Sequence, residues 1–448
     1  LTGDMTIESV FAKGDVNLIA PQAIFEAIPD HDLDVRGDNV SLTAGDTIGR
    51  PGGDNALDVA VDARGRLDAS APNGIYLNST GASGQLGNIS THGGFYLSVA
   101  DGGMTVVGNI KADKDVQLGA ADDIDFAGGS VQSDGPVLIQ AGLDGSGSIH
   151  VEAPSTGGDA IHSGDKVQLG AADDIQLGGN VHSDGDAEIT AGFDVRFSGG
   201  QLNSGGLATI VAGTSGAGSV LGAPQSGPDV VALSKVFISA PDAIGGNAPL
   251  EIATDSELEL QGRMTSVVFR PLTPGNPAEL RVTGLNGTLA QEVNLGIQGG
   301  GDVILRTFVA GNGQVTTDGA NLQVRQGHVG DHASFFTPFF NARIDHLDRN
   351  PPPGMDVRGF TLDGDFDLEL TPNVAYVGAY VVNQNPRRIV ESNPGGFVDR
   401  VNGESLRSQQ SQRVFPLGFG NPFGGAPASG GLVSMDPDLM DEVRLLGE

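Results

Sequence analysis

Apolar and polar residues alternate over short stretches of this chain, and the stretches recur. In Val116-Gln117-Leu118-Gly119-Ala120, one side carries Val116, Leu118 and Ala120, the period-two signature of a strand. The segment from Val116 to Ile124 returns intact from Val167 to Ile175, and Ser-Asp-Gly follows each copy, at Ser133-Asp134-Gly135 and Ser183-Asp184-Gly185. Weaker copies start at Val137, Ala187 and Ala208. The starts advance by about 21, 30, 20 and 21 residues, a solenoid-type period with one insertion.

A second alternation follows the first, at Ile124/Phe126, Ile175/Leu177 and Val195/Phe197. A third apolar point lies at Val131, Val181 and Leu202. Three short strands per repeat, separated by Gly, Asp and Asn, give turns at fixed offsets. One such strand cannot bury its apolar side alone. If each repeat makes one turn of a coil, its neighbours supply the ladder and three inward faces close a core. The expectation is an all-β, right-handed parallel β-helix, a β-solenoid of about 20–24 residues per coil. Residues 1–320 then form the β-helix repeat region, with roughly 13 coils. Val116, Val137, Val167, Ala187 and Ala208 should form one inward stack. The strands beginning at Val16, Val40, Phe95 and Val236 read as the same coil position.

Two passages carry a family resemblance. One runs from Val40-Ser41-Leu42-Thr43-Ala44 to Ile48-Gly49, continues through Asn55-Ala56-Leu57-Asp58-Val59, and ends in Ala71-Pro72-Asn73-Gly74-Ile75-Tyr76-Leu77-Asn78. The other is Val236-Phe237-Ile238-Ser239-Ala240, followed by Ile244-Gly245-Gly246-Asn247-Ala248-Pro249-Leu250. Both resemble the coils of filamentous-haemagglutinin-like exoproteins of two-partner secretion systems. The resemblance covers about residues 1–320 and implies a noncatalytic, secreted rod on the surface of a Gram-negative bacterium. It also implies an adhesin or its stalk, and an outer-membrane secretion partner. The receptor is left open.

Residues 321–400 read as a β-rich cap or terminal domain, because an open coil end exposes unpaired strand edges and invites self-association. Phe335-Phe336-Thr337-Pro338-Phe339-Phe340 reads as cap core. Residues 401–448 read as a polar and Gly/Pro linker-like segment, with a short helix starting near Asp436-Pro437.

Composition narrows the function classes. The chain has 448 residues, 56 acidic against 24 basic, and a net charge of −32, so it lacks the basic footprint of a nucleic-acid binder. No apolar run is long enough for a transmembrane helix. Gly numbers 70, and Trp and Cys are absent, which suits a narrow core with tight corners and no disulfides. Zero cysteines fit the cytosol or a secreted chain that crosses membranes unfolded. The start, Leu1-Thr2-Gly3-Asp4, reads as the middle of a longer polypeptide.

Candidate chemistry is sparse. Asp123, Asp144, Asp174 and Asp194 each lie seven residues past a strand start, with Asp46 near the same place and Ser215 in the next coil. Asp commonly bonds its own turn backbone, so a corner-capping column is expected, with calcium as the alternative. Asp363, Asp365, Asp367 and Glu369 read as a solvated strand face, and His328 and His332 lack the helix that would make them ligands. Asn78, Asn88 and Asn286 match the glycosylation acceptor pattern. No nucleophile elbow, phosphate loop or dinucleotide fingerprint occurs. No catalytic, cofactor or metal residue is therefore assigned. The alternatives are a structural filament and a β-helical polysaccharide-degrading enzyme, whose carboxylates would line a strand face.

Overall fold

The computed structural model describes residues 3–316 apart from 63, 80–83, 225–226, 274–277 and 289, with backbone alone at 300–302 and 312–313. From 317 to Pro416 it describes only the backbone of strands. The fold is all-β: parallel strands stack as a β-solenoid of about 13 turns. The chain divides into two compact units, Leu1–Leu233 and Ser234–Glu448, a division that falls inside the expected repeat region.

In the first unit, three ladders of short strands run through the coils. Val116 pairs with Val137, Val137 with Val167, Val167 with Ala187 and Ala187 with Ala208, all parallel. All five side chains are buried, none more than 1% exposed. The expected inward stack is therefore present. A second ladder joins Ile124, Ile149, Ile175, Val195 and Val220. A third joins Val131, Ile161, Val181, Leu202 and Val230. Period-two alternation sends every second residue of each ladder inward, which is why Ala, Val, Ile and Leu dominate the core.

The V-x-L-x-A strands do not all share one coil position. Val40 pairs with Val16 and with Leu67, and that column continues through Leu86 to Val106 and Phe126. Phe95 instead pairs with Ile75, which pairs with Ile48. The motif thus occupies two different faces, because any face whose alternate positions are buried asks for the same pattern. The faces part at Gln85–Thr91, whose register shifts between Leu86 and Ile89.

The second unit uses longer strands, Lys235–Ile244, Glu257–Arg270 and Ala290–Val324. Leu258 and Leu260 pair in parallel with Leu280 and Val282, and all four are fully buried. Parallel backbone pairing continues past residue 321, from Phe340–Ile344 to Phe366–Leu370 and on to Arg388–Glu391. Antiparallel pairs occur at Arg388–Glu391 with Val414–Pro416 and Val398–Val401 with Glu404–Ser405. The expected helix near Asp436, the Gly/Pro segment from 417 onward, and residues 337–339 of the aromatic cluster lie outside the described residues. Among the described residues, no helix is long and apolar enough to cross a membrane.

Candidate functional site

Corners come first, because the sequence places its acids there. Asp123 Oδ1 accepts a hydrogen bond from Ser148 N at 2.8 Å, Asp174 Oδ1 from Asp194 N at 2.9 Å, and Asp194 Oδ1 from Ser219 N at 2.8 Å. Each carboxylate caps the corner of the following coil instead of its own. Ser148 completes the column, its Oγ accepting from Asp174 N at 3.3 Å. The real column is therefore Asp123, Ser148, Asp174, Asp194 and Ser219, and Asp144 and Ser215 are not in it. Asp144 sits exposed in an inserted turn and accepts from Ser146 N at 3.3 Å. Asp46 belongs to another corner, where it accepts from Asn73 Nδ2 at 2.5 Å. Serines interrupt the acids, and Arg196 pairs with Asp194 at 2.6 Å, which limits repulsion along the column.

A buried serine ladder forms a second set of corner contacts. Ser133, Ser163, Ser183 and Ser204 are stacked in register and at most 4% exposed. Ser183 Oγ lies 2.7 Å from both Asp165 O, in the preceding coil, and Asp186 O, in its own turn. Ser163 and Ser204 contact the equivalent carbonyls. Ser133 and Ser183 are the serines of the recurring Ser-Asp-Gly, whose glycine also has a reason. A Cβ on Gly185 would stand 2.6 Å from Asp165 O, closer than any side chain tolerates. The motif marks where consecutive coils touch backbone to backbone.

Two shallow grooves lie on the outer faces. One, of about 470 Å³, is lined by Thr105, Asp125, His150, Glu152, Gln176 and Ser198. His150 Nδ1 lies 2.9 Å from Asp125 Oδ1, both half-exposed. The other, of about 400 Å³, includes Arg50, Tyr76, Asn78, Tyr96, Gln117 and Gln140. Tyr76 and Tyr96 stack with ring centroids 4.9 Å apart, and Tyr96 donates its hydroxyl hydrogen to Asp115. Burial, with that carboxylate as acceptor, pushes the Tyr96 phenol well above its ordinary range.

Among the described residues, two groups bring three potential metal ligands together. In the first, His162 and His182 stack at 4.9 Å beside Asp159, with each ring already facing an acid. The second is Glu26, Asp34 and Asp58, which are 9%, 3% and 0% exposed. Asp34 Oδ2 accepts from Asp58 N at 2.9 Å, and Glu26 Oε1 from Asp30 N at 2.8 Å. Both carboxylate oxygens of Asp58, and Oε2 of Glu26, have no hydrogen-bond partner. Burial, reinforced by the charge of Glu26, pushes Asp34 up to about 7 and Asp58 up to about 6. Asn78, the register partner of Asp58, pulls the other way without reaching good hydrogen-bond geometry. Burial also raises Glu26.

The C-terminal acids and histidines are placed by backbone alone. Asp367 is in register with Arg388 and Glu369 with Arg343, while Asp365 lies outside the described residues. His328 and His332 share the strand Gly327–Phe336, where four residues span about 13 Å. Of the glycosylation-type asparagines, Asn78 donates from Nδ2 to Gly53 O at 2.8 Å and Asn88 Oδ1 accepts from Asn109 N at 3.2 Å. No protein-family model, curated protein or solved structure matches this chain.

Proposed function

We propose that this chain is part of a noncatalytic, secreted cell-surface rod of the filamentous-haemagglutinin type, mediating attachment or displaying a binding tip. The observation that carries the reading is the coil-to-coil use of its polar side chains. Asp123, Asp174, Asp194 and the buried serines complete the backbone hydrogen bonding of neighbouring coils. A stalk needs that cohesion, and the coil resemblance at Val40–Asn78 and Val236–Leu250 supports the same class. Secretion through an outer-membrane partner and display on a Gram-negative surface belong to this proposal.

A second reading, polysaccharide cleavage, has one observation in its favour: Asp125 and His150 share a groove on a strand face. Against it, the arginines in register on that ladder, Arg66 and Arg196, are tied to Asp68 and Asp194. The test incubates the purified chain with bacterial, plant and host polysaccharides and measures new reducing or unsaturated ends, alongside binding to whole cells. Saturable binding without turnover is expected. Turnover that disappears in Asp125→Asn would replace the stalk with an enzyme.

A further inference from the structure

The first-unit coils carry two long connections close to the N-terminus. One spans residues 27–34, between the strands Ile24–Glu26 and Val35–Gly37, and the other spans 49–56, before Leu57–Val61. The tips meet where His31 Nε2 lies 3.1 Å from Asp54 Oδ1, both well exposed. Beneath them lie Glu26, Asp34 and Asp58. Alternation puts Asp58 on the opposite side of its strand from the core residues Leu57 and Val59, yet it is 0% exposed. A solvent-facing position has therefore been covered, and what is covered is a carboxylate with neither oxygen partnered.

Leaving such a group bare costs several kcal/mol by order of magnitude, so it is either neutralised or paired. Proton sharing among the three acids would put their oxygens in hydrogen-bond contact, and Asp58 makes no such contact with either neighbour. A cation accounts for the arrangement. One ligand atom from each of the three residues lies within 4.8 Å of the others. Oxygens that share a calcium ion at 2.3–2.6 Å stand no more than about 5 Å apart. The donor set is all carboxylate, with no imidazole or thiolate, which selects a hard cation. Calcium accepts irregular carboxylate cages and sheds water readily, whereas magnesium demands near-octahedral geometry and keeps several waters.

We propose that Glu26, Asp34 and Asp58 form a calcium site that fastens the connection 27–34, which ends in Asp34, onto the solenoid. The ion neutralises the buried charge and occupies the unpartnered oxygens of Asp58 and Glu26. Asp34 contributes its second oxygen, since its first is engaged by Asp58 N.

The test uses the full chain after dialysis against chelator, titrated calorimetrically with calcium chloride, with melting followed in parallel. One calcium bound per chain and a calcium-dependent rise in melting temperature are expected. Both responses should be lost in Asp58→Asn and the affinity weakened at least tenfold in Glu26→Gln, while Asp144→Asn, at an exposed turn, should match the parent. If Asp58→Asn does not give the parent's circular dichroism spectrum, Glu26→Gln decides alone. Wild-type chain with no calcium response overturns the site, as does a response undiminished in a correctly folded Asp58→Asn or in Glu26→Gln. An equal response to magnesium at the same concentration overturns the choice of calcium.

Discussion

The two units of the chain build parallel coils by different means. From Leu1 to Leu233 the strands are two to seven residues long, and side chains complete the corners between them. Side chains of Asp, Ser and Asn reach backbone groups one coil away, Asp174 and Asn39 accepting from N–H groups and Ser183 donating to a carbonyl. From Ser234 several strands lengthen to ten residues or more, between shorter ones such as Leu250–Thr254 and Ala278–Thr283, and the outward positions carry ion pairs between coils. Lys235 lies 2.6 Å from Glu259, Arg281 2.8 Å from Glu257, and Arg306 3.0 Å from Glu279. The first unit has 9 basic residues against 31 acidic ones, too few for such a scheme, while the second has 15 against 25. Short strands leave more backbone groups outside the ladder, so polar side chains must satisfy them. Long strands satisfy themselves, and side chains are free to pair by charge.

The comparison can be broken at graded points. Leu169 is 2% exposed in the core of the first unit, and Leu169→Asp buries a lone carboxylate. It should cost several kcal/mol by order of magnitude and abolish cooperative melting followed by circular dichroism. A melting curve like the parent's would refute the inward stack. Ser183→Ala removes contacts to two carbonyls and should cost about 1–3 kcal/mol in chemical denaturation. No loss there would mean that the serine ladder merely fills space.

Asp174→Asn is expected to be milder, below about 1 kcal/mol, because an amide oxygen still accepts from Asp194 N. A larger fall in the denaturation midpoint would show that the column needs its charge. The smallest effect belongs to Lys166 and Glu188, 2.8 Å apart in the first unit. The Lys166 ammonium holds the Glu188 carboxyl below its usual range. Its contribution is therefore fully present above about pH 4.5 and lost as the pH falls through the lower folded value. With Glu188 42% exposed, solvent screening keeps it under about 1 kcal/mol. Comparing Glu188→Gln with the parent across pH 3–6 measures it, and a difference that grows toward low pH would reverse the sign.

Legibility in the sequence followed what the core dictates. The stack from Val116 to Ala208 is readable because every inward position must be apolar, and the alternation survives an insertion of any length. Corner alignment fails for the same reason. The 30-residue step from Val137 to Val167 places its extra residues in two corners, before Ile149 and before Ile161, so counting seven from Val137 lands on Asp144 instead of Ser148. The face change near Leu86 is hidden because both faces demand the same V-x-L-x-A pattern. Nothing in the local pattern around Glu26, Asp34 and Asp58 marks them as a group. Asp34 and Asp58 are one coil apart, a signal available only after the early coils are aligned on their own register. The role of Ser-Asp-Gly was missed because recurrence marks a repeat without saying which side chain is buried.

The direction of the corner bonds has a kinetic consequence. Asp123, Asp174 and Asp194 each hold an acceptor toward the coil that follows, and Ser183 points its hydroxyl toward the coil before. Each finished turn therefore presents a ready template to the next segment of chain, and an added turn meets acceptors already in place. A polypeptide threaded unfolded through a pore and emerging one coil at a time would condense on the turns already outside. Condensation behind the advancing chain would bar its return, a ratchet driven by the same hydrogen bonds that hold neighbouring coils together.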